Sequence, residues 1–191
     1  GVLGNVTLTT GARLGGTGTV GVATLGTGAT LAPGNSPGTF NAATLVLGPG
    51  SNFDWEVQDA TNHNGGYDKI NLTGALDLSS VQPGQKVQFR IFSRLGSGDG
   101  NQSGRPLNFD PPSVAAQPTV FQCGTVGNVL LNAGTNNISD VFSFDLTGFT
   151  YSDGSSSNAG LWSIAWDGNS SITLTAVPEP STYGFGLGAL A

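Results

Sequence analysis

"VATLGTGATL", residues 22–31, is matched loosely on both sides, by "NVTLTTGARL" at residues 5–14 and "TLVLGPGSNF" at residues 44–53. Each copy has a strand-forming run of Thr, Val and Leu, a Gly-Ala or Gly-Ser turn, and a second apolar pair. The equivalent glycines are Gly11, Gly28 and Gly50, at offsets of 17 and 22 residues. A unit this short cannot bury its apolar face alone and must stack on the next, which predicts the circuits of a β-solenoid. Between the copies lie "GGTGTVG" (residues 15–21) and "APGNSPGTF" (residues 32–40), whose Gly and Pro suit corners. These glycines read as structural, because no GxxxxGK[ST] pattern and no following helix accompany them.

Composition points the same way. Of 191 residues, 31 are Gly and only 9% are charged, a balance hostile to helices and suited to short strands joined by tight turns. The length fits one domain with a tail. The six cations, Arg13, Lys69, Lys86, Arg90, Arg94 and Arg105, form no stripe in the sequence, and with a net charge of -6 this argues against nucleic-acid binding. The single Cys123 has no partner for an internal disulfide and no metal-ligand spacing around it; it reads as a small apolar core residue. The chain opens without a charged-then-apolar leader, so a secretory signal is expected to have been removed or to lie outside this numbering.

Farther along, Phe53, Trp55 and Val57 alternate with Asp54 and Glu56, predicting a half-buried strand with the carboxylates on its solvated face. Ile70 and Leu72, then Leu76 and Leu78, repeat the pattern, and "HNGG" (residues 63–66) is a turn between strands. After "KVQFRIFS" (residues 86–93) the repeat fades into longer polar loops. Strands return at "VFSFDLTGF", "GLWSIAWDG" and "SSITLTAV", the last two forming an antiparallel hairpin that caps the stack, with Trp162, Ile164 and Trp166 on one face. The expected fold is all-β: a β-solenoid, specifically a right-handed parallel β-helix, over residues 1–176, repeat-like in 1–80 and less regular in 81–176, with a C-terminal antiparallel hairpin.

Two stretches resemble known families. "GTGTVGVATLGTGATLAPGNSPGTF" (residues 16–40) resembles the β-strand repeats of bacterial autotransporter passenger domains. "AVPEPST" (residues 176–182) resembles the PEP-CTERM sorting signal of exported bacterial proteins, and is the more specific of the two. The resemblance implies export by bacteria that make an extracellular polysaccharide matrix, with display at the cell surface through an exosortase-type processing enzyme. Val177, Pro178, Glu179, Pro180, Ser181 and Thr182 would then be the sorting motif. In that family an apolar span and an Arg-rich end follow; here only Tyr183 to Ala191 follow, short of the ~20 residues a bilayer-spanning helix needs. Read as an extended segment, this tail alternates Gly184, Gly186 and Gly188 with Tyr183, Phe185 and Leu187, followed by Leu190. One bare face and one anchoring face suit a strand added to another copy's sheet edge, so self-association is expected.

No catalytic residues are assigned. Asp54 and Glu56 stand about 7 Å apart by strand rise, a separation compatible with glycoside hydrolysis, but a solvated strand face explains them as well. His63 lacks a nucleophile partner. In "DGNQSGRPLNFD" (residues 99–110), Asp99, Asn101, Ser103 and Asp110 fall at oxygen-ligand positions of a twelve-residue calcium loop, although Pro106 and the absence of flanking helices depart from that pattern. Calcium is the sole candidate cofactor. The function expected is a non-enzymatic extracellular structural protein of the bacterial surface or exopolysaccharide matrix, self-assembling into filaments through β-stacking and its tail. The alternative is a carbohydrate-binding or polysaccharide-degrading β-helix protein using exposed aromatics such as Tyr67 or Tyr151.

Overall fold

A computed structural model of the chain describes residues 2–96, 101–109, 119–123, 128–134, 137–150 and 162–176. The chain is all-β. Its strands are β1 (Val2–Leu3), β2 (Val6–Leu8), β3 (Arg13–Gly16), β4 (Thr19–Leu25), β5 (Thr30–Pro33), β6 (Thr39–Leu47), β7 (Asn52–Val57), β8 (Lys69–Leu72), β9 (Leu76–Leu78), β10 (Val87–Ser93), β11 (Thr119–Cys123), β12 (Val129–Leu131), β13 (Phe142–Gly148), β14 (Trp162–Trp166) and β15 (Ser171–Ala176). One 3₁₀ turn, Ile138–Val141, leads into β13.

The strands form two sheets, and from β4 to β13 the chain passes back and forth between them. One sheet runs β1-β4-β6-β8-β11-β15-β14, with β2 beside β4 and β9 between β6 and β12; the other runs β13-β10-β7-β5-β3. Every named pairing is parallel except β11–β15 and β14–β15. Parallel strands in register line their side chains up in rows across the sheet, and the inward rows here are apolar. In the five-stranded sheet one row is Leu14, Leu31, Phe53, Phe89 and Phe144. The facing sheet supplies Leu8, Leu25 and Leu47, and Ala23, Leu45, Leu76 and Val129. Phe53 and Phe89 meet edge to face with ring centroids 4.8 Å apart, a geometry that aligns ring edge with ring face. Between the sheets these rows make one continuous core.

The glycine alignment of the repeats is a physical stack. Gly11, Gly28 and Gly50 all adopt positive φ (80°, 74° and 68°). The Gly11 amide donates to the Gly28 carbonyl (3.1 Å) and the Gly28 amide to the Gly50 carbonyl (2.9 Å). Thr10 and Thr27 repeat the arrangement: the Thr10 hydroxyl donates to the Thr27 carbonyl 17 residues on, and the Thr27 hydroxyl to the Pro49 carbonyl 22 residues on. Successive circuits thus end in the same turn.

Where the sequence repeat fades, the parallel ladder continues: β10 pairs with β7 and carries β13 in turn. What changes is circuit length. Asp54 and Arg90 are hydrogen-bonded at a separation of 36 residues, Gln88 and Ser143 at 55. The extra residues lengthen corners, and β13 keeps its register on β10 from Val87 to Arg90 before shifting ahead of Phe92. The "HNGG" turn does lie between two strands, in a corner that carries the chain from β7 in one sheet to β8 in the other. Strands β11 and β12 fall in sequence read as loop. The hairpin is as expected: β14 and β15 are antiparallel, with Trp162, Ile164, Ile172 and Leu174 buried. Trp162 stacks on Phe109 (5.2 Å, 18°) and meets Phe149 edge-on (5.1 Å), which holds the loop before residue 110 against the hairpin.

Phe53, Trp55 and Val57 are wholly buried, as their alternation predicts. Trp55→Ala is expected to destabilise by about 3–5 kcal/mol, read from urea unfolding; wild-type stability would contradict the packing described. Gly28→Ala should cost roughly 1–2 kcal/mol, because its φ is positive and a Cβ there would sit 3.1 Å from Thr10 Cγ2. An unchanged unfolding midpoint would show that the stacked turn does not require glycine.

Candidate functional site

The carboxylates of β7 are not on a solvated face. Asp54 is 5% exposed and Glu56 9%. Parallel stacking brings Arg13 from β3 and Arg90 from β10 to Asp54: Arg90 Nε donates to Oδ1 at 2.5 Å and Arg13 Nη1 donates to Oδ2. On Glu56, Oε1 accepts from Arg94 Nη2 and Oε2 from the Ser36 hydroxyl at 2.5 Å. Three of the six cations, scattered in sequence, therefore gather on the outer face of the five-stranded sheet, where Asp54 and Glu56 pair with them. All four carboxylate oxygens have donors, so this pair is built as an ion-pair network, and burial explains why neither charge stands alone. Asp145, beside Arg90 on β13, has its carboxyl held below the ordinary range by the Thr147 amide and hydroxyl, with Arg90 adding to the effect.

A third acid lies behind them. Asp68 is 1% exposed. Its Oδ1 accepts from the Gly38 amide at 2.7 Å and its Oδ2 from the Glu56 amide at 2.9 Å, while its carbonyl accepts from Trp55 Nε1 at 2.7 Å. The side chain thereby ties two corners to the central strand. Burial pushes its carboxyl well above the ordinary range; the Gly38 amide works against the shift and the nearby Glu56 charge adds to it.

Beside the corner tied by Asp68 is an open groove of about 550 Å³, lined by Thr17, Gly38, Thr39, Asn41, His63, Asn64, Gly65, Lys69 and Asn71. Its floor is the outer face of β6 and β8, where Thr39 pairs in register with Lys69 and Asn41 with Asn71. Phe40, Ala42, Ile70 and Leu72 alternate with them and face the core. Asn71 Nδ2 donates to Asn41 Oδ1 at 3.4 Å. One wall is the corner at residues 63–65, fixed by a 2.6 Å hydrogen bond between His63 Nδ1 and the Tyr67 hydroxyl. The other includes Gly38, where a Cβ would come within 2.6 Å of Gly34 Cα, so the close approach of the two backbones requires glycine.

The remaining sequence candidates are dispersed. Asn101 and Ser103 are exposed, and Ser103 bridges to the Arg94 backbone; Asp99 and Asp110 lie outside the described residues. Among the described residues no three His, Cys, Asp or Glu side chains cluster closely enough to hold a metal ion. Tyr67 is buried at 1% exposure and offers no stacking platform, contrary to the expectation of an exposed aromatic. Tyr151, the motif at residues 177–182 and the tail anchors Tyr183, Phe185, Leu187 and Leu190 lie outside the described residues, and Cys123 is placed only as the last residue of β11. The groove and Asp68 escaped sequence reading altogether. Aligning Phe53 with Phe89 would have set Asp54 opposite Arg90; no comparable signal pairs Asn41 with Asn71.

A scan against protein-family models finds no match to the chain, and a search of curated proteins finds none either.

The raised Asp68 carboxyl has a signed consequence. The folded chain keeps this proton to higher pH than the unfolded chain, so the stability it contributes is complete below the unfolded carboxylate value and is lost as pH rises through the folded one. Asn cannot ionise, so Asp68→Asn, whatever its constant cost in lost acceptors, should gain stability relative to wild type as pH rises above the unfolded carboxylate value of about 4. Urea titrations of both proteins at each pH test this; a difference that does not change with pH would contradict it.

Proposed function

We propose that this chain is a non-enzymatic structural protein of the bacterial surface or extracellular matrix, built as a β-solenoid with an antiparallel C-terminal cap. The observation that carries the reading is the stack of equivalent positive-φ turns at Gly11, Gly28 and Gly50 over one continuous core. Such a stack makes a stiff body from local contacts, and its stability grows with each circuit added. The carboxylate pair that sequence offers for catalysis is engaged by arginines, which supports a structural role for it. The motif at residues 177–182 supports export and sorting by an exosortase-type enzyme. The apolar tail, Tyr183 to Ala191, would dock on the sheet edge of another copy and drive head-to-tail assembly into filaments.

Negative-stain microscopy and sedimentation of the purified chain test the proposal. Wild type should form filaments at high concentration, and the chain lacking Tyr183 to Ala191 should remain a folded monomer with unchanged circular dichroism. Filaments that persist after the deletion would exclude the tail as the joint, and a wild type that stays monomeric at every concentration would exclude self-assembly.

A further inference from the structure

We propose that the groove over β6 and β8 binds an acidic saccharide, a sugar unit carrying a carboxylate, with Lys69 as its anion contact. The proposal extends the structural reading by naming a partner chemistry, and rests on that reading only for its setting. Among the described side chains no carboxylate comes within ion-pair distance of Lys69; the ion pairs present engage Arg13, Arg90 and Arg94. Instead Lys69 Nζ donates to the His63 carbonyl at 3.4 Å and lies 6.0 Å from the Tyr67 ring centroid. These contacts hold the ammonium beside the 63–65 wall and leave its charge without a counter-ion among the described residues. The chain nevertheless carries a net charge of -6, so the groove holds a cation on an anionic protein.

The rest of the lining selects the ligand class. It consists of hydroxyls (Thr17, Thr39), amides (Asn41, Asn64, Asn71), one imidazole and backbone at two glycines, with no apolar side chain. An aromatic or aliphatic ligand would leave these groups unpaired, at a cost in affinity. A polyphosphate would demand several cations and meet one. A polyhydroxylated ring answers the donors and acceptors of the floor, whose rows lie about 4.8 Å apart across the strands and about 6.6 Å apart along them. A carboxylate on that ring answers Lys69 with a charge-assisted hydrogen bond. Asp68 supports the site from behind: it holds the Gly38 amide, and the Lys69 amide donates to the Gly38 carbonyl at 2.9 Å.

Isothermal titration of the full chain with trigalacturonic acid, galactotriose and sodium acetate tests the proposal. Trigalacturonic acid should bind, with galactotriose and acetate each at least about tenfold weaker, the loss expected for one charge-assisted contact. Lys69→Met should weaken trigalacturonic acid by roughly tenfold, Lys69→Arg should retain most of the affinity, and Arg105→Gln, which removes the same charge outside the groove, should leave it unchanged. Amide shifts on titration should centre on residues 38–41, 63–65 and 69–71. No heat with trigalacturonic acid, equal binding of galactotriose, displacement by equimolar acetate, or an equal loss in Arg105→Gln would each overturn the assignment. Microscopy reads assembly and calorimetry reads binding, so failure of one proposal is distinguishable from failure of the other.

Discussion

No single circuit of this chain has an interior. Leu31, Phe53 and Phe89 are fully buried because each lies in register with the next across parallel strands. That register is the constraint on which everything else depends. A slip of one residue would exchange Phe53 for Asp54 and bring charge into the core. The stacked glycine turns fix the register at one corner, and the arginine–carboxylate ladder marks it on the outer face, where only the correct pairing puts Arg13 and Arg90 on the two oxygens of Asp54.

The all-β class, the three stacked turns, the inward face of β7 and the terminal hairpin were legible because each is written in local pattern: a positive-φ glycine, an alternation, a turn between two apolar runs. What escaped was set by circuit length. Arg90 reaches Asp54 across 36 residues, and sequence carries no marker for how many residues a corner will consume. The same ignorance hid β11 and β12, whose partners β8 and β9 lie some fifty residues earlier. Asp54 and Glu56 looked solvated because alternation distinguishes the two faces of a strand but says nothing of what covers the outer one. The groove was invisible for a related reason: Asn41 and Asn71 are thirty residues apart and meet only because the corner at residues 58–68 fills the interval.

Buried acids here serve architecture. Asp68 accepts amides from two separate segments and so does the work of a backbone bridge where the corners leave the ladder. Its carboxyl is costly to ionise in that position, and the neighbouring Glu56 increases the cost. The arrangement shapes the groove wall at Gly38 and the floor at Lys69 together, so the core and the groove share a common support.

The lengthening of the circuits gives the molecule a direction. Closing a loop costs entropy that grows with the logarithm of its length, so a contact across 55 residues (Gln88 to Ser143) costs about 1 kcal/mol more to close than one across 17 (Thr10 to Thr27). Apart from the terminal hairpin, whose strands close across a tight turn, the shortest closures lie at the amino-terminal end, and each paired strand offers the following one a ready template. Order can therefore begin as soon as the first fifty or so residues are free to fold and advance toward the hairpin. A chain synthesised from its amino end presents its segments in that same sequence.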